Sequence, residues 1–326
     1  MAASLKLAAD AKLQLQRFGD FLAGQMVNDL PTGQLALGDD NKILWRSAIP
    51  YTLFHVAILV GALLVHPTRR DLLLLAVAYA VRMFFLVSAY HRYFSHRSFQ
   101  TSRGFQFVLG VLGATSGEQG PLWWAWVHRN HHRHTDGPED FHSPAQRSFL
   151  FAHVGWIFVP RANLADYEAV KDLSVYPELR WLDRYWVVPF LGLGAAFLAS
   201  GGLHAFVWGF LVSTFVLWQA TFCINSVAHL FGRRRFPTPD TSRNSLSLAL
   251  LTLGEGWHNN HHYYPGSMWQ GFYWWQVDFA AYGLTLLSWL GLIWDVHRPP
   301  AHVRAVGRLP LPLVAAVQAL RSGESG

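Results

Sequence analysis

Long apolar stretches separated by polar segments are the main pattern along the chain. Four of them approach the roughly 20 residues that a helix needs to cross about 30 Å of hydrocarbon. They run from Ala48 to His66, from Leu72 to Tyr90, from Trp186 to Gly202 and from His204 to Ile224. A short turn (HPTRRD) joins the first two, and a glycine pair joins the last two. The pattern predicts an all-α integral membrane fold with four transmembrane helices in two hairpins.

Two further apolar runs do not fit a transmembrane helix as well. The run from Phe105 to Ala114 is too short to span, which favours a helix lying in the membrane interface. The run from Phe279 to Trp294 is borderline in length and is flanked by Asp278, Asp295 and several tryptophans. Its aromatic flanks favour an interfacial helix, with a fifth span as the alternative.

Basic residues predict the orientation. With four spans, the N-terminal segment, the long middle segment and the C-terminal segment share one side of the membrane. Apart from Arg69, Arg70 and Arg82, all Lys and Arg lie on that side, which is 23 of 26. The positive-inside rule therefore places it in the cytoplasm. We expect a cytosolic N-terminal segment (1–43), a membrane domain with a cytosolic helical cap (44–298) and a C-terminal tail (299–326), in a bacterial inner membrane rather than the endoplasmic reticulum.

Composition supports a membrane protein and directs attention to histidine. Hydrophobic residues make up 52% of the chain and charged residues 14%, against about a quarter charged in soluble domains. The formal charge of +6 is spread among apolar stretches, which favours an anionic membrane surface over nucleic acid. A single cysteine, Cys223, excludes an intramolecular disulfide or a multi-thiolate metal site. Histidine, in contrast, is abundant, with 17 residues in the chain. Its imidazole is the commonest metal ligand among side chains.

Four histidine clusters lie beside the ends of the predicted spans, in the segments HRYFSH, HRNHH, NSVAH and HNNHH. HRNHH and HNNHH have spacing i, i+3, i+4, so each presents three imidazoles on one helix face. His91 and His96 are five apart and point about 140° away from each other on a regular α-helix, so they converge only if the helix ends or distorts. Asn225, one turn before His229, could bind a metal directly or hold a bound water. The nine candidate ligands are His91, His96, His128, His131, His132, His229, His258, His261 and His262.

Nine imidazoles exceed the four ligands of a structural zinc and indicate two metals. Without cysteine in the clusters, an iron–sulfur site is excluded. Imidazole suits a redox metal that binds O2 in open positions, which leaves iron and copper as candidates. His134, His142 and His153 are expected to support ligands or loops rather than bind metal. The other histidines are expected to be interfacial: His55, His66, His204, His297 and His302.

These motifs resemble the membrane fatty acid desaturase family, specifically its acyl-CoA delta-9 (stearoyl-CoA desaturase-like) branch. The segments HRYFSHRSF, NSVAHLFG and GEGWHNNHHYYP are similar to signatures of that branch, as is RHTDGPEDFHSP, in which Phe141 departs from the usual proline. The resemblance covers about residues 44–296. It implies a di-iron site held by the nine histidines, with Asn225 acting through an iron-bound water. It also implies that Trp124 and Thr221 shape the bend of a substrate tunnel.

The resemblance implies an O2-dependent desaturase that inserts a cis double bond into a long acyl chain, bound to CoA or another acyl carrier. Electrons are expected from a cytochrome b5-like protein or from a ferredoxin with its reductase. Carboxylates at four positions are candidates to orient ligand imidazoles, and basic residues are candidates to dock the donor or the CoA phosphates. The carboxylates are Asp136, Glu139, Asp140 and Glu255, and the basic residues are Arg129, Arg133 and Arg233 to Arg235.

Two other functions would use the same histidines. A lipid or alkane hydroxylase of the same superfamily would share the motifs but deliver an oxygen atom to its product. A metal transporter would need polar groups at mid-membrane depth. The predicted spans are nearly free of such groups apart from Arg82, which disfavours the transporter.

Overall fold

The computed structural model describes residues 42–310, so most of the predicted N-terminal segment and residues 311–326 of the predicted tail lie outside the described residues. The α-helices are α1 (Trp45–Leu64), α2 (Arg69–Phe85), α3 (Arg103–Ala114), α4 (Pro121–His134), α5 (Phe149–His153), α6 (Lys171–Ser174), α7 (Pro177–Arg184), α8 (Val187–His204), α9 (Ser213–Leu230), α10 (Leu246–Leu251), α11 (His258–Tyr263), α12 (Phe279–Trp289) and α13 (Ala301–Val306). The π-helical segments are Leu86–Ser95 and Ala205–Val212, and the 3-10 turns are Gly155–Phe158 and Pro160–Asn163.

Three helical stretches among the described residues are long and apolar enough to cross a membrane: Trp45–Leu64, Arg69–Ser95 and Val187–Leu230. The third has 44 residues, but its backbone leaves the helical conformation at Gly201 and Gly202, where Gly202 has φ +62°. Residues 20 apart on a straight helix lie about 30 Å apart, whereas the Phe190 and Phe210 rings are 4.8 Å apart. The chain therefore turns back at the glycine pair. Three such helices indicate a membrane protein, and the arrangement of four crossings stays a prediction.

Helix α2 has a defined start and an altered end. At the start, Thr68 and Asp71 form a capping box, in which each side chain bonds the other residue's backbone N–H. At the other end the helix widens into the π-helical segment Leu86–Ser95, whose residues are all buried. A π-helix joins residues five apart, and here the His96 backbone N–H donates to the His91 carbonyl oxygen at 3.3 Å.

A buried carboxylate fixes the start of α4, the helix that carries HRNHH. The Asp183 carboxylate accepts hydrogen bonds from the backbone N–H groups of Leu122 (2.8 Å) and Trp123 (2.9 Å), which are otherwise unpaired at a helix start. A Cβ atom on Gly120 would overlap this carboxylate, so the close approach requires glycine. Pro121 occupies the first turn, where its missing N–H costs nothing.

The apolar run 279–294 forms a short helix followed by a strand. Helix α12 has 11 residues and a length of about 16 Å, too short to cross about 30 Å of hydrocarbon. It packs against α2 where Gly283 meets the Phe84 ring. The strand β2 (Ile293–Trp294) then pairs antiparallel with β1 (Gln100–Thr101). These dimensions fit the predicted interfacial helix, whose place in the membrane stays a prediction.

Helix α3 supplies a test of the packing beside the histidine-bearing π-helix. A Cβ atom on Gly113 would collide with the Tyr90 ring, whereas a Cβ atom on Gly104 would have no neighbour within 4 Å. We expect Gly113→Ala to destabilise the protein by about 1–3 kcal/mol, lowering its melting temperature in detergent. Gly104→Ala, on the same helix, should leave the melting temperature unchanged or slightly raised. Equal melting temperatures for the two variants would contradict this packing.

Candidate metal centre

Nine histidines converge into two adjacent groups. Within each group the candidate ligand atoms lie within 4.8 Å of one another. The first group contains His91, His96, His128, His132 and His261, and the second contains His131, His229, His258 and His262. These are the nine positions singled out in the sequence, and the helices bring all of them together. The clusters are compatible with a metal site.

Ring nitrogens face each other directly inside both groups. In the first, the His261 Nε2 atom lies 3.0 Å from His91 Nε2 and 2.8 Å from His132 Nε2. In the second, His229 Nε2 lies 3.0 Å from His258 Nε2. Several nitrogens directed at one point form the donor set that a metal ion requires.

His262 provides an independent sign that the donor set fits a metal. Its Nε2 atom is buried and has no hydrogen-bond partner among the described residues, while its Nδ1 atom is paired with Asp240 at 3.1 Å. An unpaired buried nitrogen costs free energy. Metal coordination at Nε2 would remove that cost.

Local structure places each ligand. The i, i+3, i+4 spacing of HRNHH lies on α4, and that of HNNHH lies on the short helix α11. The two asparagines of HNNHH hold α11 in place. Asn259 Oδ1 accepts from the backbone N–H groups of Arg235 and Phe236, each at 2.7 Å, and the Asn260 amide donates to the Gln270 carbonyl oxygen at 2.8 Å.

The π-helix resolves the problem of the pair His91 and His96. Their ring centroids are 5.0 Å apart, although five residues on an α-helix would separate them by about 140°. The distortion that the sequence spacing requires is therefore present in the helix itself. Helix α9 supplies His229 from its last turn.

Carboxylates hold the outer nitrogen of several ligands. Both Asp140 oxygens lie 3.0 Å from His131 Nδ1, and Glu255 pairs with His91 Nδ1. Glu255 is held in turn by Arg92 at 2.9 Å. Accepting a hydrogen bond from Nδ1–H fixes the ring orientation and leaves Nε2 free to bind a metal.

Asp136 acts on His229 mainly through a hydroxyl group. The Thr241 Oγ1 atom lies 3.2 Å from His229 Nδ1 and donates to Asp136 at 2.8 Å, while Asp136 itself is 3.7 Å from the ring nitrogen. The fourth candidate carboxylate, Glu139, is exposed and contributes a backbone carbonyl to Asn130 instead. The Glu139 carboxylate therefore does not orient a histidine ring, because it is exposed and stays hydrated.

Two supporting residues were missed in the sequence. Asp240 pairs with His262, and the Gln270 amide donates at 2.6 Å to Glu255, the carboxylate that pairs with His91. Asp240 lies in the turn-rich segment PTPDTS, 22 residues before His262. In such a segment an acidic residue is indistinguishable from a solvent-exposed loop residue. No local spacing signal connects either residue to a histidine.

Burial keeps most of these imidazoles uncharged. Burial, reinforced by the neighbouring imidazoles, holds the pKa of six histidines well below the usual 6.5. They are His96, His128, His132, His258, His261 and His262. His131 differs: burial alone would lower its pKa, but the Asp140 carboxylate, with smaller contributions from Asp136 and Asp240, raises it. The uncharged imidazole is the form that binds metal.

Two of the histidines that were not expected to bind metal have hydrogen-bond partners, and the third lies beside the second group. His153 is within 2.9 Å of the Ser226 hydroxyl, and His134 is 3.2 Å from the Asn130 side chain. His142 forms a third group with His131 and Asp140, whose possible ligand atoms lie within 4.8 Å of one another, and its buried Nδ1 atom has no hydrogen-bond partner among the described residues. Burial lowers the pKa of His142 to about 3.

A cavity of about 310 Å³ adjoins the histidines. Asn225, Trp124 and Thr221 all line it, together with His128 and His142. Most of its remaining wall is aromatic or aliphatic, contributed by α1, α4, α8, α9 and the segments before α8. These apolar residues include Tyr51, Phe54, Trp156, Trp186, Phe190, Leu191 and Trp218. The cavity suits an apolar ligand.

The support of His131 can be tested by metal binding. We expect Asp140→Asn to weaken metal affinity by about 10–100-fold, because an uncharged amide holds the Nδ1 proton less strongly. Metal content measured in competition with a chelator gives the affinity. Glu139→Gln, one residue away but exposed, is the matched control and should bind as the wild type does. Unchanged affinity in Asp140→Asn would exclude this role of the carboxylate.

The uncharged imidazoles also predict how stability depends on pH. The six histidines have folded-state pKa values below their unfolded value of 6.5, so unfolding takes up protons below pH 6.5. Stability of the metal-free protein should therefore be complete above pH 6.5 and fall below it. Each histidine contributes up to about 1.4 kcal/mol per pH unit, and His131 opposes the trend. Thermal denaturation of chelator-treated protein between pH 5.5 and 7.5 measures this, and His262→Gln should show a smaller slope. Equal stability across that range would mean that the imidazoles are not held uncharged.

Comparison with known proteins agrees with this geometry. Residues 71–285 match the family described as fatty acid desaturase. An sn-2 palmitoyl-lipid 9-desaturase of Nostoc sp. (strain 36) is 32% identical over 267 residues, covering 81% of this chain and 93% of that protein. An sn-1 stearoyl-lipid 9-desaturase of Anabaena variabilis is 32% identical, covering 75% and 92%. An acyl-CoA 5-desaturase of Anemone leveillei is 37% identical, covering 65% and 66%. The chain therefore belongs to the fatty acid desaturase family.

Proposed function

We propose that this protein is an O2-dependent fatty acyl desaturase that inserts a cis double bond at position 9 of a long acyl chain, using two irons bound by the nine histidines. The observation that carries the proposal is the convergence of two imidazole groups next to an apolar cavity. The names of two relatives with broad coverage, both 9-desaturases, support the position of the double bond.

The two groups divide the ligands between the irons, five imidazoles on one side and four on the other. Asn225 lines the cavity, one helical turn before His229, and would contribute through a bound water. When bound, the irons would supply the O2-dependent removal of hydrogen from an unactivated C–H bond, chemistry that side chains lack. The protein supplies position, ring orientation and exclusion of water.

The cavity wall positions the substrate relative to the histidines. The Trp124 ring stacks on the His128 ring with centroids 4.9 Å apart. A residue of the cavity wall is therefore in direct contact with a proposed iron ligand. Thr221 lines the same cavity from α9. We infer that Trp124 and Thr221 shape a bend that presents two neighbouring methylene groups to the irons. Holding the chain bent would favour the cis product.

A membrane setting accounts for the remaining features. We infer four crossings in two hairpins, the second turning at Gly201 and Gly202, with the histidines on the cytoplasmic face of a bacterial inner membrane. The turn at the glycine pair supports the second hairpin. The helical cap then places the metal centre just outside the hydrocarbon.

Electrons would come from a separate cytochrome b5-like protein or a ferredoxin with its reductase. Of the basic residues predicted to dock the donor, Arg133 and Arg233 are exposed. Arg129 is not free for this role, because it donates to the Asp172 carboxylate at 2.7 Å and to the Ser95 carbonyl oxygen at 2.9 Å. Docking would therefore centre on the exposed arginines.

Expression in a host that lacks its own desaturase tests the proposal. We expect monounsaturated fatty acids with a cis double bond at position 9, and complete loss of this product in His131→Ala. His302→Ala is the matched control, since His302 is exposed, and it should make product at the wild-type level. A hydroxylated lipid without added unsaturation would refute the desaturase and support the hydroxylase.

The acyl carrier requires a separate experiment. The sequence resemblance implies acyl-CoA, whereas relatives are named for lipid-bound or CoA-bound chains. We propose acyl-CoA and expect pulse-labelled double bonds to appear first in the acyl-CoA pool. Their first appearance in membrane lipids would assign the lipid-bound chain instead.

A further inference from the structure

One ionisable side chain in the cavity has no part in holding the metals. Glu118 lies in the connection between α3 and α4 and lines the cavity. The Trp124 indole N–H donates to its Oε2 atom at 3.3 Å, and the Thr221 hydroxyl is a second hydrogen-bond neighbour. Its Oε1 atom is buried and has no hydrogen-bond partner among the described residues. The carboxyl group therefore sits between the two residues assigned to the bend, with one oxygen unpaired.

The groups around Glu118 do not form a direct ion pair with it. Arg82, on α2, is a positive charge that acts on the Glu118 carboxyl group and lowers its pKa. However, its guanidinium donates to the Thr115 carbonyl oxygen at 2.8 Å and to the Ser213 hydroxyl at 3.0 Å. The arginine favours the carboxylate only through space. From the π-helical segment, Tyr90 contributes a hydroxyl that bonds the neighbouring Gln119 carbonyl oxygen at 2.9 Å.

Other titratable groups lie close enough to be considered. Asp183 packs against Gly120, and burial raises its pKa to about 6. His128, His142 and Arg46 line the same cavity as Glu118. Any dependence of the cavity on pH must therefore be assigned by substitution and not by proximity alone.

The charge of Glu118 changes close to neutral pH. Burial raises its pKa to about 7, although the hydrogen bonds from Trp124 and Thr221 and the charge of Arg82 all act to lower it. An uncharged carboxyl group can lie beside an alkyl chain. A carboxylate would retain water in the cavity, which the incoming chain would have to displace.

We propose that Glu118 is a positioning residue for the acyl chain, and that only its uncharged form allows the chain to occupy the bend. This inference rests on the proposed function, because it requires an acyl chain in the cavity. Glu118 is then both part of the cavity wall and the group that makes acyl-chain binding depend on pH.

The size of the effect follows from the fraction of uncharged carboxyl. With a pKa of about 7, this fraction falls from about nine tenths at pH 6 to about one tenth at pH 8. Apparent affinity scales with the fraction of binding-competent protein. Binding should therefore weaken about tenfold between these two pH values.

Equilibrium binding of radiolabelled methyl stearate to the full-length, metal-loaded protein tests this. The ester is uncharged at every pH, and omitting O2 and the electron donor prevents turnover. Wild-type protein should bind about tenfold more weakly at pH 8 than at pH 6. Glu118→Gln keeps the hydrogen-bonding shape without the charge and should bind at both pH values as tightly as the wild type at pH 6. Glu139→Gln, the exposed control, should follow the wild type.

Each result has a distinct meaning. Wild-type binding that does not change with pH would overturn the inference while leaving the acyl-binding cavity intact, and this holds whether or not the Gln variant folds. A tenfold slope retained in Glu118→Gln would also overturn it and move the effect to Asp183, His128 or His142. If no protein binds the ester at any pH, the acyl cavity itself, and with it the proposed substrate, is contradicted.

Discussion

The packing of nine buried or half-buried imidazoles into one compact region is the constraint on which this structure depends. Removing so many basic groups from water is tolerable only if they stay uncharged and their polar atoms are satisfied. Burial keeps six of the rings uncharged. Carboxylates and hydroxyls behind the rings satisfy outer nitrogens, such as Asp140 behind His131 and Asp240 behind His262. The supporting residues come from loops far apart in the chain, so the whole cap must fold before the centre exists.

The buried charges of the cap follow the same requirement. Arg92 is almost fully buried and lies 2.9 Å from both Glu255 and Asp278. Glu255 also pairs with His91, so one arginine stabilises a carboxylate that orients a ligand. Asp278 additionally caps α12 by accepting from the Ala281 N–H at 3.0 Å. Helix positions and ligand orientations are thus linked through a few buried ion pairs.

Much of the fold and of the site could be predicted from the sequence because the signals were local. Apolar runs identified the long helices, and the i, i+3, i+4 spacing placed three imidazoles on one face of α4 and of α11. Family membership, predicted from the histidine motifs, is confirmed by the comparisons. What could not be predicted depends on tertiary contacts. No pattern in the neighbouring sequence predicts that Asp240 pairs with His262 or that the Glu118 carboxyl group is buried.

The π-helix is an intermediate case. The five-residue spacing of His91 and His96 showed that the helix must distort, but not whether it would end or widen. Widening keeps the chain helical through ten buried residues, so the backbone hydrogen bonds stay satisfied next to the membrane. Ending the helix at the same point would have left carbonyl groups without partners.

The shared position of Trp124 and His128 on α4 restricts how this scaffold can diversify. One turn of helix fixes the distance between a wall of the cavity and a ligand of the first histidine group. Under the proposed function, a change of substrate preference cannot arise by shifting α4 without also displacing the histidines of the first group. The walls from α1 and α8, which include Phe54 and Leu191 and carry none of the nine ligands, can change in size independently. Variation in the length of the chain that is accepted should therefore concentrate in those two helices.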